Sequence, residues 1–140
     1  MLLLCLLLFP IISAQEEGYS FVSKEIRTPL DHFSFSKNNT FLLRYMVNDT
    51  FYKPNGPIFF YTGGNENLEV FAQDSGFIFE IAPQFDALIV FAEHRYYGDS
   101  LPFGLFSPPE YMGYLSSIQV LADFADLITF LQKNLRHVWR

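Results

Sequence analysis

Cysteine, positive charge and repetition are all scarce in this sequence, and each shortage removes a class of protein. Its single cysteine, Cys5, excludes a scaffold stapled by internal disulfides. Nine Lys and Arg stand against fifteen Asp and Glu, a formal charge of -6 with no basic stripe, which argues against recognition of nucleic acid. Only three histidines are present, and no second His or Cys lies at ligand spacing from His32, so neither a metal site nor a cofactor is expected. Repeats, low-complexity tracts and linkers are also missing. With half its residues apolar and 19% aromatic, the chain has ample material for the core of one domain.

Long apolar runs are equally rare. The longest, LLLCLLLFPII at residues 2–12, is too short to cross a bilayer and stops at Ser13-Ala14 before the polar QEEG. That pattern suits residues 1–14 as a secretory signal peptide cleaved after Ala14, leaving 15–140 as the folded part, without Cys5 and with no membrane attachment. The n-region lacks Lys and Arg, and Ile12 at the expected -3 position is larger than usual. Two sequons, at Asn38 and Asn48, could then carry N-glycans wherever the asparagine faces solvent.

What is present reads as strands, then a strand-helix-strand unit, then a helix. Tyr19 to Arg27 and Thr40 to Asn48 are rich in β-branched and aromatic residues, and the polar SKNN between them predicts an antiparallel pair. After the breakers Lys53-Pro54-Asn55-Gly56-Pro57, the short run IFFYT at 58–62 predicts a buried strand, and Ala87 to Ala92 a second. Residues 66–85 between them carry helical spacing, with Gly76 and Pro83 expected to interrupt it. The whole is a βαβ unit with parallel strands.

The last segment predicts a helix whose start is capped by Ser116, with Gln119 closing a capping box and Leu115 stapled onto Val120. Ile118, Leu121, Ala122, Ala125, Ile128, Leu131 and Leu135 are expected to form its apolar face. Asp123 and Asp126 near the start, with Lys133 and Arg136 near the end, suit the helix dipole.

Both apolar strands end in unusual residues: Gly63-Gly64-Asn65-Glu66 after the first, Glu93-His94-Arg95-Tyr96-Tyr97-Gly98 after the second. Ligands of open α/β sheets bind beyond the carboxyl ends of the strands. If the two strands are parallel neighbours, both segments share one rim, where amides freed by the two glycines could donate to an oxyanion and Glu93, His94, Arg95 and Tyr96 could support the site. The competing reading is an ion pair between Glu93 and Arg95 with packed tyrosines. His32, in TPLDHF, reads as a turn or packing residue.

These residues carry a resemblance. FFYTGGNENLEVFAQDSGFIFEIAPQFDALIVFAEHRYYGDSLPFG, residues 59–104, closely resembles the lysosomal prolylcarboxypeptidase and dipeptidyl-peptidase II family of serine exopeptidases, and LDHF, RYMVND and GPIFFYTG precede it in the family's order. The resemblance implies the N-terminal part of an α/β-hydrolase fold, with a mixed sheet of antiparallel N-terminal strands and a parallel βαβ unit. It also implies a Ser-Asp-His triad, a peptide substrate cleaved next to proline or a small residue, and a lysosomal or extracellular location.

Three departures stand out. An extra glycine precedes Asn65-Glu66, a cysteine usual near Ala72 is missing, and no Gly-x-Ser-x-Gly elbow occurs in the 140 residues. The resemblance therefore places all three catalytic residues beyond Arg140 and predicts that this chain alone is inactive, or at most a binding isoform. His32 and His94 match motifs outside the family's triad. Gly98-Asp99-Ser100-Leu101 spells the GDSL-esterase motif, but a serine without a positioned base is a weak nucleophile, and Asp-x-x-His does not follow it.

Overall fold

The computed structural model describes residues 18–35 and 38–138, with no side-chain description beyond Leu135. The expected signal segment, 1–14, lies outside the described residues. Four strands form one sheet: β1 (Val22–Pro29), β2 (Thr40–Asn48), β3 (Ile58–Thr62) and β4 (Leu88–Ala92). Two helices, α1 (Leu68–Asp74) and α2 (Gly76–Phe85), lie between β3 and β4 in sequence. A 3-10 turn at Pro109–Tyr114 precedes the long α3 (Ser117–Val138).

The strand order is β1-β2-β4-β3. β1 runs antiparallel to β2 with Val22 opposite Val47, and β2 antiparallel to β4 with Tyr45 opposite Ala92. β3 and β4 are parallel, from Ile58 beside Leu88 to Thr62 beside Ala92. The expected mixed sheet is therefore present. β1 starts later than its composition suggests, because residues 19–21 leave the sheet for α2. The Tyr19 ring stacks on Phe79 at 3.5 Å, and the Gln73 amide exchanges two hydrogen bonds with the Tyr19 backbone, each 2.8 Å.

Each sheet face buries its own cluster. Leu43, Tyr45, Val47, Leu88 and Val90 meet Val120, Phe124, Leu127 and Leu131 of α3; Met46, Ile89 and Phe91 meet Leu68, Ala72, Ile78, Phe79 and Ala82 of α1 and α2. All five residues of β4 are buried, as a central strand covered on both faces requires. The break between the two shorter helices falls at Ser75, and Gly76 opens α2. Pro83 does not interrupt: it sits in the last turn of α2, which ends at Asp86 in a left-handed conformation (φ 52°) with the Asp86 N–H on Ala82 O.

Three expectations need correction. The first half of α3 turns a different face inward: Val120, Phe124 and Leu127 are buried, while Ile118 and Leu121 are 60% and 65% exposed and Ala125 is also exposed; further along, Leu131 is buried and Leu135 packs on the core as expected. The helix carries two apolar stripes, and Asp123, buried beside Val120 and Phe124, is tied to Arg95 and so selects which stripe faces the sheet. The capping box does not form either. The Gln119 side chain reaches away from the helix, donating to Asp31 Oδ1 (2.7 Å) and accepting from the His32 N–H (3.0 Å). Asn48 is the third: it is buried, its Nδ2 donates to Ser20 O (2.8 Å) and its Oδ1 accepts from the Thr50 N–H (3.1 Å). A folded Asn48 offers no amide to a glycan, whereas Asn38 is exposed.

Candidate active-site rim

Parallel pairing brings the carboxyl ends of β3 and β4 side by side, so the two signature segments do share one rim. The first of the two glycine amides is not free. Gly63 N–H donates to Ala92 O (2.7 Å), extending the ladder, and a Cβ on Gly63 would come within 2.6 Å of the same oxygen. Only glycine lets the loop leave the strand this close to β4. Among the described residues, the Gly64 and Asn65 N–H groups donate to no protein acceptor. Asn65 and Glu66 are exposed, and the Glu66 carboxylate folds back over Gly64, where an added Cβ would meet Oε2 at 2.8 Å. Asn67 then caps α1, its Oδ1 accepting from the Val70 N–H (3.0 Å).

Past β4 the side chains divide between the two faces of the sheet. Glu93, 3% exposed, sits on the α1 side. Its Oε2 accepts from the Asp99 N–H (2.9 Å), the Ser100 N–H (2.8 Å) and the Ser100 hydroxyl (2.8 Å), which closes residues 93–100 into a turn. Arg95, fully buried, sits on the α3 side over the Phe41 ring. All five guanidinium N–H donors are used: Nε and Nη2 on Asp123 (2.6 Å each), Nη1 on Leu30 O and Tyr114 O, and Nη2 on Pro29 O. The alternative Glu93–Arg95 ion pair does not form. Glu93 instead faces Arg44, with Nη1 3.4 Å from Oε1.

His94 is half-buried. Its Nδ1 lies 2.7 Å from Arg95 O, and since a carbonyl can only accept, that nitrogen carries the proton. The Tyr97 ring meets it edge-on at 5.2 Å. Tyr96 takes a positive φ of 71°, its hydroxyl donates to Tyr111 O (2.6 Å), and burial raises its pKa above the usual phenol value. Tyr111 in turn stacks on Phe103 at 4.2 Å.

His32 does more than pack. Its Nε2 lies 2.7 Å from Asp123 Oδ1, which the Thr28 hydroxyl also reaches (3.2 Å), and its Nδ1 is 3.6 Å from Asp126. Asp31 beside it is held below the usual carboxylate range, first by the Gln119 amide and then by the Phe33 N–H. Asp123 thus gathers Arg95, His32 and Thr28 at one buried carboxylate. Composition could have flagged it: Asp123 falls three residues after Val120 and four before Leu127, on a stripe that excludes water, where a carboxylate needs a cation.

Ser100 is held inside the turn. It is fully buried, its hydroxyl donates to Glu93 and accepts from the Arg44 N–H (2.8 Å), and among the described residues no imidazole touches it. A cavity of about 670 Å³ opens elsewhere, at the far end of β3 between Tyr52, Pro54, Ile58, Phe60, Ile128 and Leu135. It lines no acid or base beyond one tyrosine and lies away from the rim.

A family model described as serine carboxypeptidase S28 matches residues 28–138, which takes in β2 to β4, all three helices and both rim segments. The chain belongs to the serine carboxypeptidase S28 family. It is 44% identical over 121 residues to the prolyl carboxy peptidase like protein 5 of Caenorhabditis elegans, covering 85% of this chain and 23% of that one. It is 43% identical over 113 residues to the lysosomal Pro-X carboxypeptidase of Bos taurus, covering 79% and 23%. Against the Homo sapiens lysosomal Pro-X carboxypeptidase the identity is 45% over 109 residues, covering 76% and 22%. The chain therefore spans less than a quarter of the length of these relatives.

Proposed function

We propose that this chain supplies the oxyanion-side rim of a secreted or lysosomal serine exopeptidase with an α/β-hydrolase core, which cleaves peptides next to proline. The observation that carries the reading is the pairing of β3 with β4, which sets the unpartnered Gly64 and Asn65 amides beside the turn 93–100 at one end of the sheet. In this reading a serine on a Gly-x-Ser-x-Gly elbow attacks the carbonyl, a histidine takes its proton, and the two amides hold the tetrahedral oxyanion. None of the three triad residues is among these 140. Residues 1–14 direct the chain to the secretory pathway and Asn38 carries the glycan.

The amides can be tested by replacing the matching segment of the Bos taurus enzyme with residues 28–138 and assaying a peptide whose penultimate residue is proline. The chimera is expected to hydrolyse it. Gly64→Pro, which deletes one N–H, is expected to lower kcat about 10²- to 10³-fold with little change in KM. An active chimera in which Gly64→Pro leaves kcat unchanged refutes the oxyanion role. The 140-residue chain itself is expected to show no cleavage and no labelling of Ser100 by a fluorophosphonate, and labelling there would revive the esterase reading.

A further inference from the structure

Two rim segments leave the sheet on separate strands, yet a single side chain from a third strand touches the second and the helix that follows the first. Arg44 lies on β2, on the face covered by α1 and α2, and its side chain is 13% exposed. Its backbone joins the turn after β4 directly: Arg44 O accepts from the Glu93 N–H (3.0 Å), and Arg44 N–H donates to the Ser100 hydroxyl (2.8 Å). The guanidinium then spreads in two directions. Nη1 reaches Glu93 Oε1 (3.4 Å) and Asp99 Oδ2 (3.5 Å) in the turn, while Nη2 bonds Glu69 Oε1 in the first turn of α1, the helix entered from the Gly63–Asn67 loop. Nε is anchored on the Ser23 hydroxyl of β1 (2.9 Å), so the planar group cannot swing freely between these partners.

We propose that Arg44 is a positioning residue, a brace between the Gly63–Asn67 loop and the 93–100 turn that fixes where the Gly64 and Asn65 amides stand. Its catalytic meaning rests on the oxyanion reading; its physical content does not. Without Glu69, α1 loses its ion pair with Arg44 and so its polar tie to the turn, while the packing of Leu68 and Ala72 and the Gly63 bond to Ala92 still hold it to the sheet. Without Arg44, α1 is untied from the turn, and Glu93, still accepting from Asp99 and Ser100, keeps a buried charge with no cation among the described residues.

The brace has a pH signature. Glu69 is held below the usual carboxylate range, chiefly by its hydrogen bond from Arg44, and the same bond raises the Arg44 pKa further. A carboxyl whose folded pKa is depressed stabilises the fold above its unfolded value and loses that contribution as pH falls through the lowered one. The tie therefore holds through the mildly acidic range and lets go only below it. The charges facing Glu69 and its partner are Arg44 from β2, and Glu93 and Asp99 from the turn.

The test is residue-resolved amide exchange on the 140-residue chain, read at the bonded amides of the two segments: Gly63, Val70 and Phe71 for the loop and α1, Asp99 and Ser100 for the turn. Glu69→Gln is expected to speed exchange at the first three about two- to fivefold and leave Asp99 and Ser100 unchanged. Arg44→Met is expected to speed all five about tenfold or more, with Arg44→Lys between it and the parent. After correction for intrinsic rates, the parent is expected to lose loop protection as pH falls through the Glu69 titration, and Glu69→Gln to lack that step. If Arg44→Met unfolds altogether, Glu69→Gln still decides. Unchanged exchange at Gly63, Val70 and Phe71 in Glu69→Gln, or an unaltered pH step, overturns the brace. In the chimera, Glu69→Gln is expected to lower kcat about two- to fivefold at constant KM. A shift in exchange without a shift in kcat keeps the brace and removes its link to the oxyanion.

Discussion

Asp123→Asn is expected to cost about 3–5 kcal/mol of folding stability, a large share of what a domain of this size has to lose. The carboxylate accepts from Arg95 Nε and Nη2 at 2.6 Å each, from the Thr28 hydroxyl at 3.2 Å, and lies 2.7 Å from His32 Nε2. Both ends of the ion pair are fully removed from water. The amide keeps the shape and loses the charge, so Arg95 is left as a buried cation with no anion, and an NH₂ group now points at one of its donors. Because the same carboxylate sets the rotation of α3, the loss spreads to the packing of Val120, Phe124 and Leu127 on the sheet. The urea midpoint is expected to fall with the slope unchanged. The double variant Arg95→Met with Asp123→Leu removes the unpaired charge as well and is expected to lose less than Asp123→Asn alone. A loss below about 1 kcal/mol for the single variant would show that the pair does not hold the helix.

This pair also shows why part of the chain could be read in advance and part could not. Strands β3 and β4 are continuous apolar runs between breakers, a signal that needs no partner to interpret, and their parallel pairing follows from the helical spacing between them. The shared rim was legible for the same reason. Which charges meet there was not, because Glu93 and Arg95 are two residues apart in sequence but lie on opposite faces of the sheet once the strand has ended. Their partners, Arg44 and Asp123, are 49 and 28 residues away. The rotation of α3 was ambiguous because both Ile118-Leu121-Ala125 and Val120-Phe124-Leu127 satisfy helical spacing, and only the buried Asp123 breaks the tie. Gly63 was misread as a free donor, since its amide is claimed by a neighbour that exists only when the sheet is assembled. Asn48 was misread for a similar reason: its sequon is local, whereas its burial depends on the 19–21 segment crossing from β1 to α2.

The turn that Glu93 organises can be probed with glycines of graded demand. Gly113→Ala is expected to be nearly neutral, since nothing lies within 4 Å of the added Cβ and no positive φ is required. Gly104→Ala also has open space, but its φ of 74° makes an L residue pay about 1–2 kcal/mol of backbone strain. Gly98→Ala carries that strain at φ 55° and a collision besides, because its Cβ would lie 1.8 Å from Glu93 Oε1 and 2.4 Å from Cδ. The Glu93 side chain cannot retreat without abandoning the Asp99 N–H, the Ser100 N–H and the Ser100 hydroxyl. Each buried donor stranded in this way costs about 1–3 kcal/mol. Gly98→Ala is therefore expected to lose at least about 3 kcal/mol, above Gly104→Ala by the value of one or more stranded donors. Equal losses for the two variants, measured as urea midpoints, would mean that Glu93 has room to move and that the turn is held by something other than its carboxylate.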